Sequence, residues 1–208
     1  MMSHASSPRD EPLAAALSER TDDAALARLR SRLADDADDA GILDVAYRTL
    51  DTPIGSLLLA ATEDGLVKVA FEIQDHAAVL AQLSDTISPR LLRAPARLDE
   101  ASRQLDEYFA GHRRRFDVPL DWRLSKGFRR SALTHLPDIG YGHTASYAQV
   151  ALASGNPRAV RAVGTACATN PLPLIVPCHR VVRSDGSMGR YAGGVEAKRF
   201  LLDMEGAA

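Results

Sequence analysis

Pro177-Cys178-His179-Arg180-Val181 sets a thiol and an imidazole side by side, directly after the apolar stretch Leu172 to Val176. A thiol is a strong nucleophile only as thiolate, and a nearby imidazole is the usual means of producing one. The chain holds two cysteines, Cys167 and Cys178, which cannot supply a disulfide framework or a zinc ligand set. Cys167 lies among alanines and reads as a small core residue, leaving Cys178 as the nucleophile. Further on, the loop Gly189-Arg190-Tyr191-Ala192-Gly193-Gly194 leads into a last helix from about Val195 to Met204, with Glu205 at its end. Cys178, His179 and Glu205 form a candidate relay: the carboxylate orients the imidazole, and the imidazole withdraws the thiol proton. Leu172 to Val176 reads as a buried strand, and neighbours on a strand face opposite ways. A bridging water or a helical turn at Cys178 is therefore needed to bring thiol and imidazole together.

The elements in front of the cysteine read as helices with tight breaks. Phe128 to Leu136 is one, closed by Pro137, and Ser146 to Ser154 is a second. Gly155-Asn156-Pro157 is a turn, with Asn156 suited to cap a third helix and Pro157 to open it, running to about Ala168. Helix, short turn, helix is the helix-turn-helix arrangement, with Arg158 and Arg161 on one side of its second helix. Upstream, Ile42–Leu50, Gly55–Ala61 and Leu66–Phe71 are short, rich in branched residues and separated by turn signals, as in an antiparallel meander. Leu98, Ala101, Leu105, Tyr108 and Phe109 recur at helical spacing, and Gly111 stops that helix. Residues 1–40 are rich in Ala, Asp and Arg. Leu26, Leu29 and Leu33 predict one short helix there, capped by Thr21 with Asp22 and Asp23 in its first turn, and Asp35 to Asp39 predict linker.

Composition narrows the class. No apolar run approaches a membrane span, and no basic-then-apolar signal segment opens the chain, so a cytoplasmic protein is expected. The net charge of -2 conceals an asymmetry: residues 1–40 carry -4, residues 41–112 carry -5 and residues 113–208 carry +7. A basic rear half fits a polyanion, nucleic acid above all, or simply a basic solvated face.

The motifs Tyr-Gly-His-Thr with Ser-Tyr two residues on, Arg-Ala-Val-Gly, Pro-Cys-His-Arg-Val and Tyr-Ala-Gly-Gly stand in one order. In that order the chain resembles the O6-alkylguanine-DNA alkyltransferases, over roughly residues 42–206. The resemblance implies an α+β protein: an extension over 1–40, then an RNase H-like antiparallel-sheet domain over 41–118. A winged helix-turn-helix-like catalytic domain follows over 122–206. It implies direct repair, in which Cys178 takes the alkyl group from a flipped O6-alkylguanine in duplex DNA and keeps it. His179, through water, and Glu205 match the family's proton relay, Tyr147 the donor to the departing base, and Asn170 the residue that braces the network. Arg161 matches the side chain that fills the gap in the DNA stack, and Asn156 and Ser184 match DNA-contacting positions. Tyr191 and Gly193 match the loop over the base, and Lys198 a side chain beside it. No cofactor and no metal are implied; the partner is double-stranded DNA with alkylated bases, not a membrane, and the protein is a monomer away from DNA. Three other readings stay open at this point: a non-catalytic damage binder, a cysteine hydrolase, and a helix-turn-helix regulator.

Overall fold

The computed structural model describes residues 23–207. The chain forms two units, divided after Ile42. The first holds helix α1 (Asp23–Asp39), which is 17 residues long. Asp35 to Asp39 are therefore helix and not linker, because the alanines around them favour helix and the chain breaks only near Gly41. Leu29 and Leu33 are exposed, and Thr21 and Asp22 lie outside the described residues.

In the second unit, β1 (Val45–Thr52), β2 (Gly55–Thr62) and β3 (Gly65–Phe71) form the expected antiparallel meander. Helix α2 (His76–Thr86) follows, started by Asp75, whose carboxylate accepts from the amides of Ala77 and Ala78. It buries only Val79 and Leu83, too weak a stripe to announce itself in the sequence. Strand β4 (Leu91–Arg93) then adds in parallel to β1, giving the order β3-β2-β1-β4. Helix α3 (Asp99–Phe109) packs Ala101, Leu105 and Tyr108 into the core.

The rear half contains α4 (Gly127–Thr134), α5 (Tyr147–Ala153), α6 (Val160–Ala168) and α7 (Gly194–Glu205). Two short parallel strands, β5 (Ala145–Ser146) and β6 (Val181–Val182), lie among them. One core joins both halves, with Leu57, Val69 and Phe71 from the sheet packed together with Val163, Leu174 and Leu201. The otherwise open edge of β3 is closed by the rear half: the Val69 amide donates to Pro171 O at 2.8 Å, and Leu66 pairs with Leu120.

Two sequence expectations fail here for physical reasons. Leu172 to Val176 is a chain of turns and not a strand. Pro173 removes a ladder donor inside the segment, Pro171 and Pro177 bound it on either side, and buried Leu174 takes φ 74°, outside the extended region. The helix expected from Asn156 starts instead at Val160. The Asn156 amide donates to Ala151 O at 3.0 Å and that of Gly155 to Leu152 O at 3.0 Å, so Asn156 closes α5 in a Schellman motif rather than opening α6. Arg158 consequently lies in the turn, off the helical face that carries Arg161. Among the described residues no helix is long and apolar enough to cross a membrane.

Candidate active site

Asn170 organises the turns that deliver the thiol. Its Oδ1 accepts from the Leu172 amide at 3.0 Å, and its Nδ2 donates to Val176 O at 2.8 Å and to Cys178 Sγ at 3.2 Å. One buried side chain thus replaces the ladder that the prolines forbid. Behind Pro177 the backbone makes a 3₁₀ turn over Cys178–Arg180, supplying the helical turn that the relay needs. Cys178 is buried, and burial pushes its thiol up to about 11 against the opposing Asn170 hydrogen bond and Lys198 charge. The resting nucleophile is a thiol, so its proton must leave as the attack proceeds.

His179 is fully buried and faces Glu205, Nε2 to Oε1 at 3.0 Å. Burial lowers the imidazole below its ordinary value, against the opposing pull of Glu205. Burial by contrast tends to raise Glu205, but hydrogen bonds from His179, Arg180 and Tyr108 outweigh it and hold the carboxyl at about 2. A neutral ring against a carboxylate donates from Nε2, which leaves the lone pair on Nδ1. Nδ1 is buried and has no hydrogen-bond partner among the described residues. It is the free base of the site.

Glu205 ends α7, where the helix dipole disfavours negative charge. Five donors answer this. Oε1 accepts from His179, from Arg180 Nη2 at 3.0 Å and from Tyr108 OH at 2.6 Å. Oε2 accepts from Arg180 Nε at 2.9 Å and from the Gly142 amide at 3.4 Å. Arg180 also donates to Ile139 O at 2.7 Å. Sequence reasoning missed both Arg180 and Tyr108. Arg180 stood inside the quoted motif; Tyr108 lies 97 positions from Glu205 and looked like an ordinary core residue.

Tyr147 opens α5 because Ser146 and Gln149 form a reciprocal cap: Ser146 Oγ accepts from the Gln149 amide at 3.2 Å and Gln149 Oε1 from the Ser146 amide at 2.7 Å. The pairing of β5 with β6 ties this residue to the strand that leaves the cysteine turn. Burial, then the neighbouring thiols Cys167 and Cys178, raise the Tyr147 phenol and keep it a neutral donor. Gly189 makes room for it, since a Cβ there would lie 2.1 Å from the hydroxyl. Gly193 is pressed against Phe71 of the sheet, where a Cβ would meet the ring at 2.7 Å. Tyr191 is buried edge-on to Phe71 and His179, its hydroxyl without a partner among the described residues. Lys198 is buried and donates from Nζ to Val181 O at 2.6 Å.

Asn156, Arg161 and Ser184 form the opposite kind of group. All three are exposed, and no side-chain hydrogen bond or ion pair holds them among the described residues. Cys167 is buried on α6, its thiol raised chiefly by burial, as expected for a core residue.

Comparison with known proteins gives this arrangement its context. Residues 45–122 match the family model for the 6-O-methylguanine DNA methyltransferase ribonuclease-like domain, and residues 127–207 the model for the DNA-binding domain of the same family. The chain belongs to the 6-O-methylguanine DNA methyltransferase family. It is 39% identical over 160 residues to the constitutive methylated-DNA–protein-cysteine methyltransferase of Bacillus subtilis, covering 76% of this chain and 94% of that one. Against the mouse protein of the same name it is 35% identical over 171 residues, covering 77% and 81%. Among solved structures, the Mycobacterium tuberculosis O6-methylguanine methyltransferase superposes with a TM-score of 0.69 at 38% identity, covering 78% of this chain and 93% of that one. Mycobacterium tuberculosis OGT in complex with DNA gives 0.67 at 40% identity, with the same coverage. These family members bear out the α+β architecture, with a ribonuclease-like domain before a DNA-binding one.

Proposed function

We propose that the protein repairs alkylated guanine in duplex DNA directly, Cys178 Sγ accepting the O6-alkyl group in a single displacement. The observation that carries this is the bonded line Asn170–Cys178 followed by His179–Glu205, with only Nδ1 of the imidazole left free. In the step, the S–C bond forms as the C–O6 bond breaks. The thiol proton passes to His179 Nδ1 through a water, and Glu205 stabilises the imidazolium that results. Tyr147 hydrogen-bonds the departing guanine, which takes up one proton from water in place of the alkyl group, and the imidazolium returns its proton to water, so charge balances over the reaction. Tyr191 and Gly193 line the pocket for the flipped base, with Lys198 fixing β6 beneath it. Arg161 fills the vacated stack, and Asn156 and Ser184 bind the backbone. A thioether does not hydrolyse in water, so each molecule acts once.

The matched family, the buried relay and the exposed Arg161 in the first turn of α6 support this reading over a hydrolase. We also assign the sheet domain to 41–118 and the DNA-binding and acceptor domain to 122–206, with the protein monomeric off DNA and acting in the cytoplasm. Mass spectrometry after incubation with a duplex holding one O6-methylguanine tests it. One methyl group on the Cys178 peptide, with restored DNA and no second turnover, is the expected result. Tight lesion-selective binding without a mass change would instead establish a damage binder, and turnover of an acyl substrate a hydrolase.

A further inference from the structure

A cleft of about 620 Å³ opens where the edge of β3 meets the rear half, and Lys68, Arg123, Lys126 and Arg129 all line it. No carboxylate lines it among the described residues. Arg123 is already neutralised by Asp64, at 2.7 Å, and by Asp121. Lys68, Lys126 and Arg129 have no hydrogen bond or ion pair among the described residues. Lys68 is half-buried on β3, and burial alone lowers its ammonium below the ordinary value. A cation withdrawn from water without a counter-charge is costly, and an anion beside it repays that cost. The remaining polar lining, Gln74, Gln82 and Thr86, offers further donors. Lys126 stands at the N-terminus of α4, whose first amides receive no side-chain cap, so the positive end of the helix adds to the same field.

The location matters as much as the charge. Thr169 sits just past the end of α6, eight residues from Arg161 in its first turn. At about 1.5 Å per residue the cleft lies roughly 12 Å from Arg161 along that helix. That is three to four nucleotide steps of about 3.4 Å along one strand. Asn170, which also lines the cleft, is the residue bonded to Cys178 Sγ.

We propose that this cleft is a phosphate site, and that on DNA its occupant is a backbone phosphate held by Lys68 from the sheet and by Lys126 and Arg129 from α4. The sheet domain then contributes directly to DNA affinity. The source of the phosphate rests on the DNA-repair reading; the chemistry of the site does not, because a free phosphate presents the same oxygens.

The test is affinity for an undamaged duplex, by fluorescence anisotropy over a salt series, for the full chain, Lys68→Gln, Lys68→Arg and the pair Lys126→Gln/Arg129→Gln. Methyl transfer to Cys178 at saturating lesion DNA is followed alongside. Loss of one phosphate contact lowers the slope of log affinity against log salt by about one. The expected result is that drop in Lys68→Gln, its restoration in Lys68→Arg, and complete transfer by both, which shows them folded. Unchanged slopes in the Gln variants, with inorganic phosphate raising the melting temperature of the native chain but not of Lys68→Gln, would keep the phosphate site and assign it to a free ligand. Unchanged slopes without a phosphate effect overturn the proposal. Failure of the native chain to accept a methyl group would overturn the repair reading alone.

Discussion

The buried relay and the exposed DNA-facing residues are built on opposite principles. Cys178, His179, Asn170 and Glu205 are each almost inaccessible to water and bonded to fixed partners. Arg161, Asn156 and Ser184 are exposed and unpartnered among the described residues. In the first group geometry is set before substrate arrives, and removing any member leaves another buried and unsatisfied. In the second, order comes with the ligand, so each residue acts through its own contact and little else. The contrast predicts large, coupled effects inside and small, additive ones outside.

Cys178→Ala is the most severe break: methyl transfer, read by mass spectrometry, falls to zero while lesion binding persists. Cys167→Ala transfers normally in the same assay. Glu205→Gln comes next. Removing the charge strips the imidazole of its partner and strands a buried guanidinium, so single-turnover transfer slows on the order of 10²-fold. Denaturant unfolding shows a loss of about 3–5 kcal/mol.

The pH dependence of stability sharpens the same point. Glu205 is held near 2 in the folded chain against an ordinary 4.5, so its contribution is fully present above 4.5 and drains away as pH falls towards 2. His179 is held below its ordinary 6.5, so below that value the unfolded chain takes up a proton that the folded chain refuses. Both effects weaken the fold in acid. Denaturant midpoints fall from about pH 6.5 downward, and Glu205→Gln loses the lower limb only.

Tyr108→Phe should have an intermediate effect. It removes one of five donors, costing about 1–3 kcal/mol, and shifts the Glu205 limb to higher pH in the same titration. Arg161→Ala is the mildest to the fold, within about 0.5 kcal/mol. It weakens duplex binding in an anisotropy titration, with Asn156→Ala and Ser184→Ala weaker still. An Arg161→Ala variant that unfolded as readily as Glu205→Gln would break the contrast.

What the sequence disclosed follows the same division. Local signals were legible: the helix beginning near Ser146, the meander with its turns, the glycines around Tyr191 and the Pro-Cys-His-Arg run. Where backbone hydrogen bonds compete over a few residues, apolar pattern misled. Leu172 to Val176 looked like a strand until three prolines were weighed, and Asn156 looked like a cap for the helix after it when it closes the one before. Tyr108 was illegible for another reason. Its partner is 97 positions away, and nothing in its neighbourhood distinguishes a tyrosine bonded to a carboxylate from one that merely fills space. Glu205 was named as the relay carboxylate from its place at the end of the last helix, but the Arg180, Tyr108 and Gly142 donors that hold it were not foreseen.

The hydroxyl of Tyr108 on Glu205 and the ring of Phe71 against Gly193 have a consequence for inheritance. Each pairs a residue of the sheet half with one of the acceptor half, so the halves are not interchangeable parts. In chimaeras between relatives, crossovers that exchange one half should yield active offspring only when both pairs are compatible. Sequence drift at Phe71 or Tyr108 is thereby tethered to chemistry encoded more than ninety codons downstream.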